Sequence, residues 1–239
     1  MLRKISVFSL LILISFTSHA ASQQNQLPRR IQANYEVTKN GQLFANVHEV
    51  FVVTGRTYKV ESITKGIGIY ALLGERQLTS HGEVTTLGLK PQRFELHQGD
   101  SAKKTLIADF NWANNALHMT VKGVVKDVAL SLGTQDLASY AYQFMFLSKP
   151  LKDTLSLTMT TGKKLSQYVY KISEAEEILE ISGAQYKTLH LIQMNQNSLK
   201  TDTKDLWLGV DQQYVPVKII MIDDKGQKLE QTLTEFYVE

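Results

Sequence analysis

The sequence contains no cysteine, and this absence excludes three kinds of structure. Without thiols the chain can form neither disulfide bonds nor a thiolate metal site. It also cannot be anchored as a lipoprotein, because the N-terminal apolar run is followed by no thiol that could be acylated. The stability of the fold must therefore come from packing, for which 239 residues are sufficient.

A strong net charge and a second long apolar run are absent as well. The formal charge is +3, and about +1 once Arg3 and Lys4 are removed, so the composition indicates no nucleic-acid partner. Beyond residue 20 no apolar run is long enough to cross a membrane. We expect a soluble mature chain with no integral membrane span.

The N-terminus has the features of a secretory signal peptide. A basic segment with Arg3 and Lys4 precedes an apolar run over residues 5–17, and small residues then occupy positions 18 and 20. We predict a cleaved signal peptide over residues 1–20, which implies a periplasmic protein. Cleavage after residue 21 and an uncleaved anchor are the alternatives. Residues 21–30 are polar and rich in glutamine, and we predict a flexible leader there.

Most of the remaining chain has the pattern of β-strands. Residues 31–37 and 105–112 alternate between apolar and polar side chains, as strands with one buried face do. Turn signals such as Asn40-Gly41 separate many closely spaced segments of this kind. The pattern predicts a mainly β fold, in which a curled antiparallel sheet forms a barrel or half-barrel. With no linker or repeat, we expect a single β-rich domain over residues 31–239.

One stretch departs from the strand pattern and predicts a buried helix around residues 135–147. Apolar residues, including Tyr140 and Phe144, recur there at helical spacing, and the opposite face is almost as apolar. Thr134 or Asp136 is predicted as the helix cap. For Asp136 this structural role is favoured over catalysis.

Residues 66–74 also interrupt the strands, with three glycines and no charge. The segment is interpreted as a short helix or an apolar loop. We expect it to plug one end of the core, because apolar segments are usually buried, with a mobile lid as the alternative.

The sequence carries no recognisable catalytic signature. It contains no His-Glu-x-x-His and no Gly-x-Ser-x-Gly motif, and its histidines are scattered. Ser80 and His81 are adjacent, so on a strand they would point to opposite faces. We therefore predict no catalytic residues, no metal site and no cofactor. A pair of carboxylates brought together across strands stays open.

Three motifs together resemble an exported bacterial family, domain of unknown function 3108. They are GLKPQRF at residues 88–94, TQDLAS at residues 134–139, and WLGVD at residues 207–211 leading into YVPV at residues 214–217. The resemblance extends from about residue 31 to the C-terminus. It implies an exported, single-domain, mainly β protein, and it brings no activity or site residues. A looser similarity in architecture is to periplasmic lipoprotein carriers, in which a curved sheet holds acyl chains, although one fold hosts many functions.

Three functions are compatible with this pattern, and binding is favoured. In a curled sheet that one helix cannot cover, the remaining apolar space is either filled by side chains or left as a pocket, and an apolar pocket is typical of ligand sites. We predict a non-enzymatic protein that binds an apolar, lipid-like ligand or an envelope partner. The alternatives are a carboxylate-based hydrolase and a structural or scaffolding protein of the cell envelope. The predicted ligand-binding residues are aromatic: Trp112, Tyr140, Phe144, Trp207 and Tyr70.

Overall fold

The computed structural model describes residues 28–99, 104–151, 153–194 and 203–239. The predicted signal peptide, residues 1–20, lies outside the described residues, as does the leader up to residue 27. The described strands are β1 Arg30–Lys39, β2 Gln42–Thr54, β3 Thr57–Gly66, β4 Arg76–Thr85, β5 Gly88–Gln98, β6 Leu106–Asn111, β7 Ala116–Val121, β8 Val124–Ala129, β9 Gln135–Asp136, β10 Thr154–Thr160, β11 Leu165–Ile172, β12 Glu177–Ile181, β13 Ala184–Met194, β14 Thr203–Gly209, β15 Pro216–Ile222 and β16 Lys228–Val238.

These strands form one large sheet in the order β8-β7-β6-β5-β4-β3-β2-β1-β16-β15-β14-β13-β11-β10-β9, and β12 pairs with β13 outside this path. Neighbouring strands are antiparallel apart from the short parallel pair β9–β10. β8 and β9 stand at the two ends of the order, so the curled sheet is open. The predicted mainly β fold is confirmed, in the form of a half-barrel and not a closed barrel.

The strand pattern in the sequence marks the buried face correctly. Along β1 the side chains of Ile31, Ala33, Tyr35 and Val37 are buried, and the residues between them are partly or fully exposed. The turn that follows has positive φ at both Asn40 and Gly41, as a two-residue hairpin requires. Local hairpins of this kind build the sheet as a meander from β1 to β8.

The predicted helix is present and buried, but it is shorter than the sequence pattern indicated. α1 spans Tyr140–Gln143, all four residues of which are buried, and a 3-10 turn continues over Phe144–Phe146. The preceding Gln135–Asp136 pair instead forms β9 against β10. The helix starts late because these two residues satisfy their backbone groups in the sheet.

Glutamine side chains fix the helix region to the start of β5. Gln143 donates from Nε2 to the Leu87 carbonyl at 3.0 Å and accepts the Leu89 N–H at 2.7 Å. Gln135 donates to the Leu89 carbonyl at 2.8 Å. Gly88 lies between the bonded groups with a φ of 104°, and a Cβ there would clash with the Gln143 amide. Two of the three motifs noted in the sequence therefore meet in space.

Candidate functional site

A cavity of about 260 Å³ lies between the helix region and the strands of the sheet. Seven strands and the residues just before and within α1 contribute to its wall. Its lining combines apolar groups with three charged side chains, which are Glu49 on β2, Arg76 on β4 and Lys204 on β14. The lining residues are Tyr35, Val47, Glu49, Ser62, Thr64, Arg76, Leu78, Leu137, Ala138, Tyr140, Ala141, Lys204, Pro216, Ile219, Met221 and Gln231.

The two cations of this cavity have no carboxylate within 4.0 Å among the described side chains. Lys204 is only 7% exposed, and its Nζ atom lies 3.9 Å from the centre of the Tyr140 ring. Burial lowers the pKa of Lys204 to about 7; Glu49 acts in the opposite direction and Arg76 lowers it further. Burial also lowers the pKa of Arg76 from its ordinary value. An aromatic face stabilises the ammonium in part, since a cation over a ring is attracted to its π-system.

The carboxylate of the cavity is held by two hydroxyl groups. Glu49 accepts hydrogen bonds from Ser62 Oγ at 3.0 Å and from the Tyr142 hydroxyl at 3.2 Å. Burial raises the pKa of Glu49, whereas these two bonds and the charge of Lys204 lower it. Tyr142 is itself fixed by stacking on Phe51 at a centroid distance of 4.7 Å. The position of Glu49 is therefore set by the core, with both oxygens engaged.

Two further cavities adjoin the charged cavity, and Met221 lines all three. One has a volume of about 380 Å³ and is lined by apolar groups that include Leu137, Met159 and Leu229. The other, of about 180 Å³, includes Leu229 and Phe44. The three spaces therefore adjoin one another, and the charged one is termed the central cavity. Apolar side chains line the other two alongside Arg76 in the smaller and Lys39, Lys204 and Asp223 in the larger.

Two of the predicted binding residues line these three cavities. The Tyr140 ring faces the charged cavity, and Tyr70 lines the cavity of about 180 Å³. Tyr70 packs against Phe44 with the ring centres 4.6 Å apart. Both positions follow from the aromatic-rich segments that the sequence analysis singled out.

The other three predicted residues do not line these three cavities. Phe144 is buried and packs edge-on against Tyr140, because the short helix turns it into the core. Trp112 donates from its indole N–H to the Pro91 carbonyl at 2.6 Å. Trp207 alternates with Lys204 and Leu206 along β14, so it lies on the opposite face of the sheet.

On that opposite face Trp207 has partners of its own. It stacks on His190 at a centroid distance of 3.9 Å and donates a hydrogen bond to Glu177 at 3.1 Å. The side chains are brought together by β12, β13 and β14. Trp207 therefore joins β12 to the outside of the sheet and is remote from the charged cavity.

The uncharged glycine-rich segment is not a plug, so this expectation from the sequence is wrong. Gly68–Leu73 forms a 3-10 helix in which no residue is buried. Ile69 and Leu72 are 76% and 89% exposed. Tyr70 and Leu73 nevertheless line the smallest of the three cavities. The segment thus lies along the edge of that cavity, with apolar groups on its outer side.

The predicted cap residues are both buried and lie just ahead of the helix. Asp136 accepts the N–H groups of Ala138 and Ser139 through Oδ1, at 2.9 and 2.8 Å, and the Ser80 hydroxyl through Oδ2 at 2.6 Å. Burial raises the pKa of Asp136 to about 6, against these hydrogen bonds, which lower it. Thr134 donates to the Ser131 carbonyl. Asp136 thus organises the turn before α1, whose N-cap residue is Ser139.

Sequence reasoning missed the three charged residues of the central cavity. Each lies in an inward-facing row of a strand: Glu49 between Val47 and Phe51, and Lys204 two residues before Leu206. A charge at an apolar register position was the available signal. It becomes visible only when the strand boundaries are known, because one residue of shift turns the same side chain to solvent.

Comparison with known proteins places the chain in a family. Residues 30–234 match the model of a family described as "Protein of unknown function (DUF3108)". No curated protein matches the chain. Among solved structures, the chain is similar to a DUF1329 family protein from Desulfovibrio piger ATCC 29098. The identity is 10%, the alignment covers 90% of this chain and 88% of that chain, and the TM-score is 0.23.

Two further observations concern the described residues alone. Their helices include none with the length and apolar character needed to cross a membrane. Within the same ranges, no three His, Asp or Glu side chains are grouped so that they could hold a metal ion.

Proposed function

The chain belongs to the DUF3108 family, whose function is not established, and we propose that it is a non-enzymatic binding protein that holds a lipid-like, amphipathic ligand in the three adjoining cavities. The observation that carries this proposal is the group of three adjoining cavities, in which apolar walls surround a few charged side chains. Ligand sites are typically concave and largely apolar, with a few polar groups that fix orientation. The proposal also includes export to the periplasm, as the N-terminal sequence predicts.

The cavity chemistry favours binding over hydrolysis. Glycoside hydrolysis of the usual kind needs two carboxyl groups across the scissile bond. Glu49 is the single carboxylate among the residues that line the charged cavity, and it already accepts hydrogen bonds from Ser62 and Tyr142. The other carboxylate of the three cavities, Asp223, lines only the adjoining one of about 380 Å³. A scaffolding protein, the other alternative, needs no internal space of this size. The adjoining cavities therefore support a binder over both alternatives.

Blocking the junction of the cavities tests the proposal. Met221→Trp places a larger side chain where all three spaces meet. We expect saturable binding of a fluorescent fatty acid, 11-(dansylamino)undecanoic acid, to the wild-type protein, and at least about tenfold weaker binding to this variant. Overpacking at a lined position costs about 1–3 kcal/mol, so a urea unfolding curve should accompany the titration.

Met194→Trp is the matched control, because Met194 is 46% exposed and lines none of the three cavities. It should bind the probe as the wild type does. Absence of saturable binding to folded wild-type protein, or equal binding by both tryptophan variants, would reject the proposed function.

A further inference from the structure

We propose that Arg76 and Lys204 form a recognition site for the oxyanion head group of a long-chain ligand. This inference rests on the proposed function and adds the class of the ligand, an acyl or alkyl chain that ends in a carboxylate or phosphate. It starts from the charge balance of the central cavity. Two cations and one carboxylate line that space, and the carboxylate oxygens of Glu49 already accept hydrogen bonds from Ser62 and Tyr142.

Charged groups inside proteins are normally paired, because an isolated charge is costly to remove from water. In the described parts of the chain, neither Arg76 nor Lys204 has a carboxylate within salt-bridge distance. Lys204 has the Tyr140 ring at 3.9 Å, which covers one side of the ammonium and leaves its other N–H groups for a further acceptor. The N–H donors of both cations therefore face a space in which a small anionic group would accept their hydrogen bonds.

The placement of the two cations also fits a head group with a chain attached. Arg76 lines both the central cavity and the cavity of about 180 Å³, whereas Lys204 lines both the central cavity and that of about 380 Å³. Each cation thus stands where the central cavity meets one of its neighbours. A ligand with its anion between Arg76 and Lys204 would place its chain along Phe44 or along Met159 and Leu229.

Arginine is well suited to an oxyanion. Its planar guanidinium donates two parallel hydrogen bonds to a carboxylate or phosphate, and a lysine adds a point charge. Burial lowers the pKa of Lys204 to about 7. An anion bound beside Lys204 would raise this pKa again, since a nearby opposite charge favours the charged form. Ligand binding and protonation of Lys204 should therefore support each other.

The test compares chains that are equal in length and differ in head group. Dodecanoate, dodecyl phosphate and dodecanol each displace a neutral fluorescent probe, N-phenyl-1-naphthylamine, from the wild-type protein, and inorganic phosphate reports an anion without a chain. We expect both anionic chains to bind at least about tenfold more tightly than dodecanol, as charge-assisted hydrogen bonds contribute at least that much. Inorganic phosphate should not displace the probe.

The variants Arg76→Met and Lys204→Met should lose this preference and keep the affinity for dodecanol. Lys126→Met is the matched control, because Lys126 is exposed on the edge strand β8, and it should keep the wild-type preference. Replacing a buried charge by an apolar side chain of similar size is commonly tolerated, and Lys204→Arg, which keeps the charge, should keep the preference. Equal affinity of the wild-type protein for dodecanol and the anionic chains overturns the site even where a variant does not fold.

The outcomes separate the two proposals. Equal affinity of wild-type protein for dodecanol and the anionic chains, or an unchanged preference in folded Arg76→Met and Lys204→Met, overturns the head-group site and leaves the binding function standing. Binding of none of the chains rejects the proposed function and the head-group site with it. A preference for the anionic chains that the two variants remove supports both.

Discussion

The buried carboxylate of Asp136 provides a test of how the fold is held around its helix. The side chain is fully buried, and it accepts three hydrogen bonds, from the N–H groups of Ala138 and Ser139 and from the Ser80 hydroxyl. Asp136→Asn keeps an oxygen for the two N–H groups, and its amide can donate to Ser80 Oγ. Asp136→Ala removes both acceptor oxygens and leaves the three donors buried.

The pKa of Asp136 sets the size and sign of the effect. A carboxyl group with a pKa of about 6 in the folded chain and about 4 in the unfolded chain is less stable, once ionised, by about 3 kcal/mol in the folded state. Between pH 4 and pH 6 the folded chain holds a proton that the unfolded chain has released. The contribution of Asp136 to the free energy of unfolding therefore falls as pH rises through this range.

Comparison with Asp136→Asn, which does not titrate, isolates the pH-dependent contribution of the Asp136 carboxyl group. Urea unfolding followed by tryptophan fluorescence at pH 4.5, 5.5, 6.5 and 7.5 gives the difference in stability between wild type and Asp136→Asn. We expect the wild type to lose up to about 3 kcal/mol relative to Asp136→Asn as pH rises from about 4 to about 7. Asp136→Ala should be less stable than Asp136→Asn at each pH by at least about 3 kcal/mol, because each orphaned buried donor costs about 1–3 kcal/mol.

A difference between wild type and Asp136→Asn that does not change with pH would refute the elevated pKa. A wild type that gains stability relative to Asp136→Asn as pH rises would mean that the three hydrogen bonds outweigh burial and hold the pKa of Asp136 low. Equal stability of Asp136→Ala and Asp136→Asn would refute the hydrogen-bond account of the turn.

Two shorter predictions follow from other parts of the chain. Gly88→Ala should destabilise the fold by about 1–3 kcal/mol in urea unfolding, because φ is 104° there and the added Cβ meets the Gln143 amide; Gly123→Ala, in a hairpin turn with open space around it, should cost less, and equal losses would contradict this reasoning. Export should release a chain whose N-terminal sequence begins at Ala21, and a full-length product retained in the membrane would contradict the signal-peptide prediction.

The strands were predictable because their signal is local. In β1, four buried side chains alternate with more exposed ones, and that period of two is written directly in the sequence. The hairpin turn at Asn40-Gly41 is likewise fixed by residues that tolerate positive φ. Neither feature depends on distant parts of the chain, so composition and spacing were sufficient to predict both.

The helix was harder to delimit, because its start is set by a distant strand. Gln135 and Asp136 directly precede the residues with helical spacing, yet they pair with β10 and therefore do not join the helix. The 3-10 helix at Gly68–Leu73 was misjudged for a related reason. Its apolar character suggested burial, but Ile69 and Leu72 are exposed among the residues that the structure describes, and tertiary contacts of that kind have no sequence signal.

The charged residues of the central cavity could not be predicted from the sequence. Glu49, Arg76 and Lys204 are far apart in the sequence and meet only because β1 pairs with both β2 and β16, which brings the two halves of the meander together. From one sequence each is an ordinary polar residue in a strand. Only the pairing makes them a set, and the same pairing surrounds them with apolar walls. A charge is expensive in such a place unless another group pairs with it, and the anionic ligand that we propose would lower this cost.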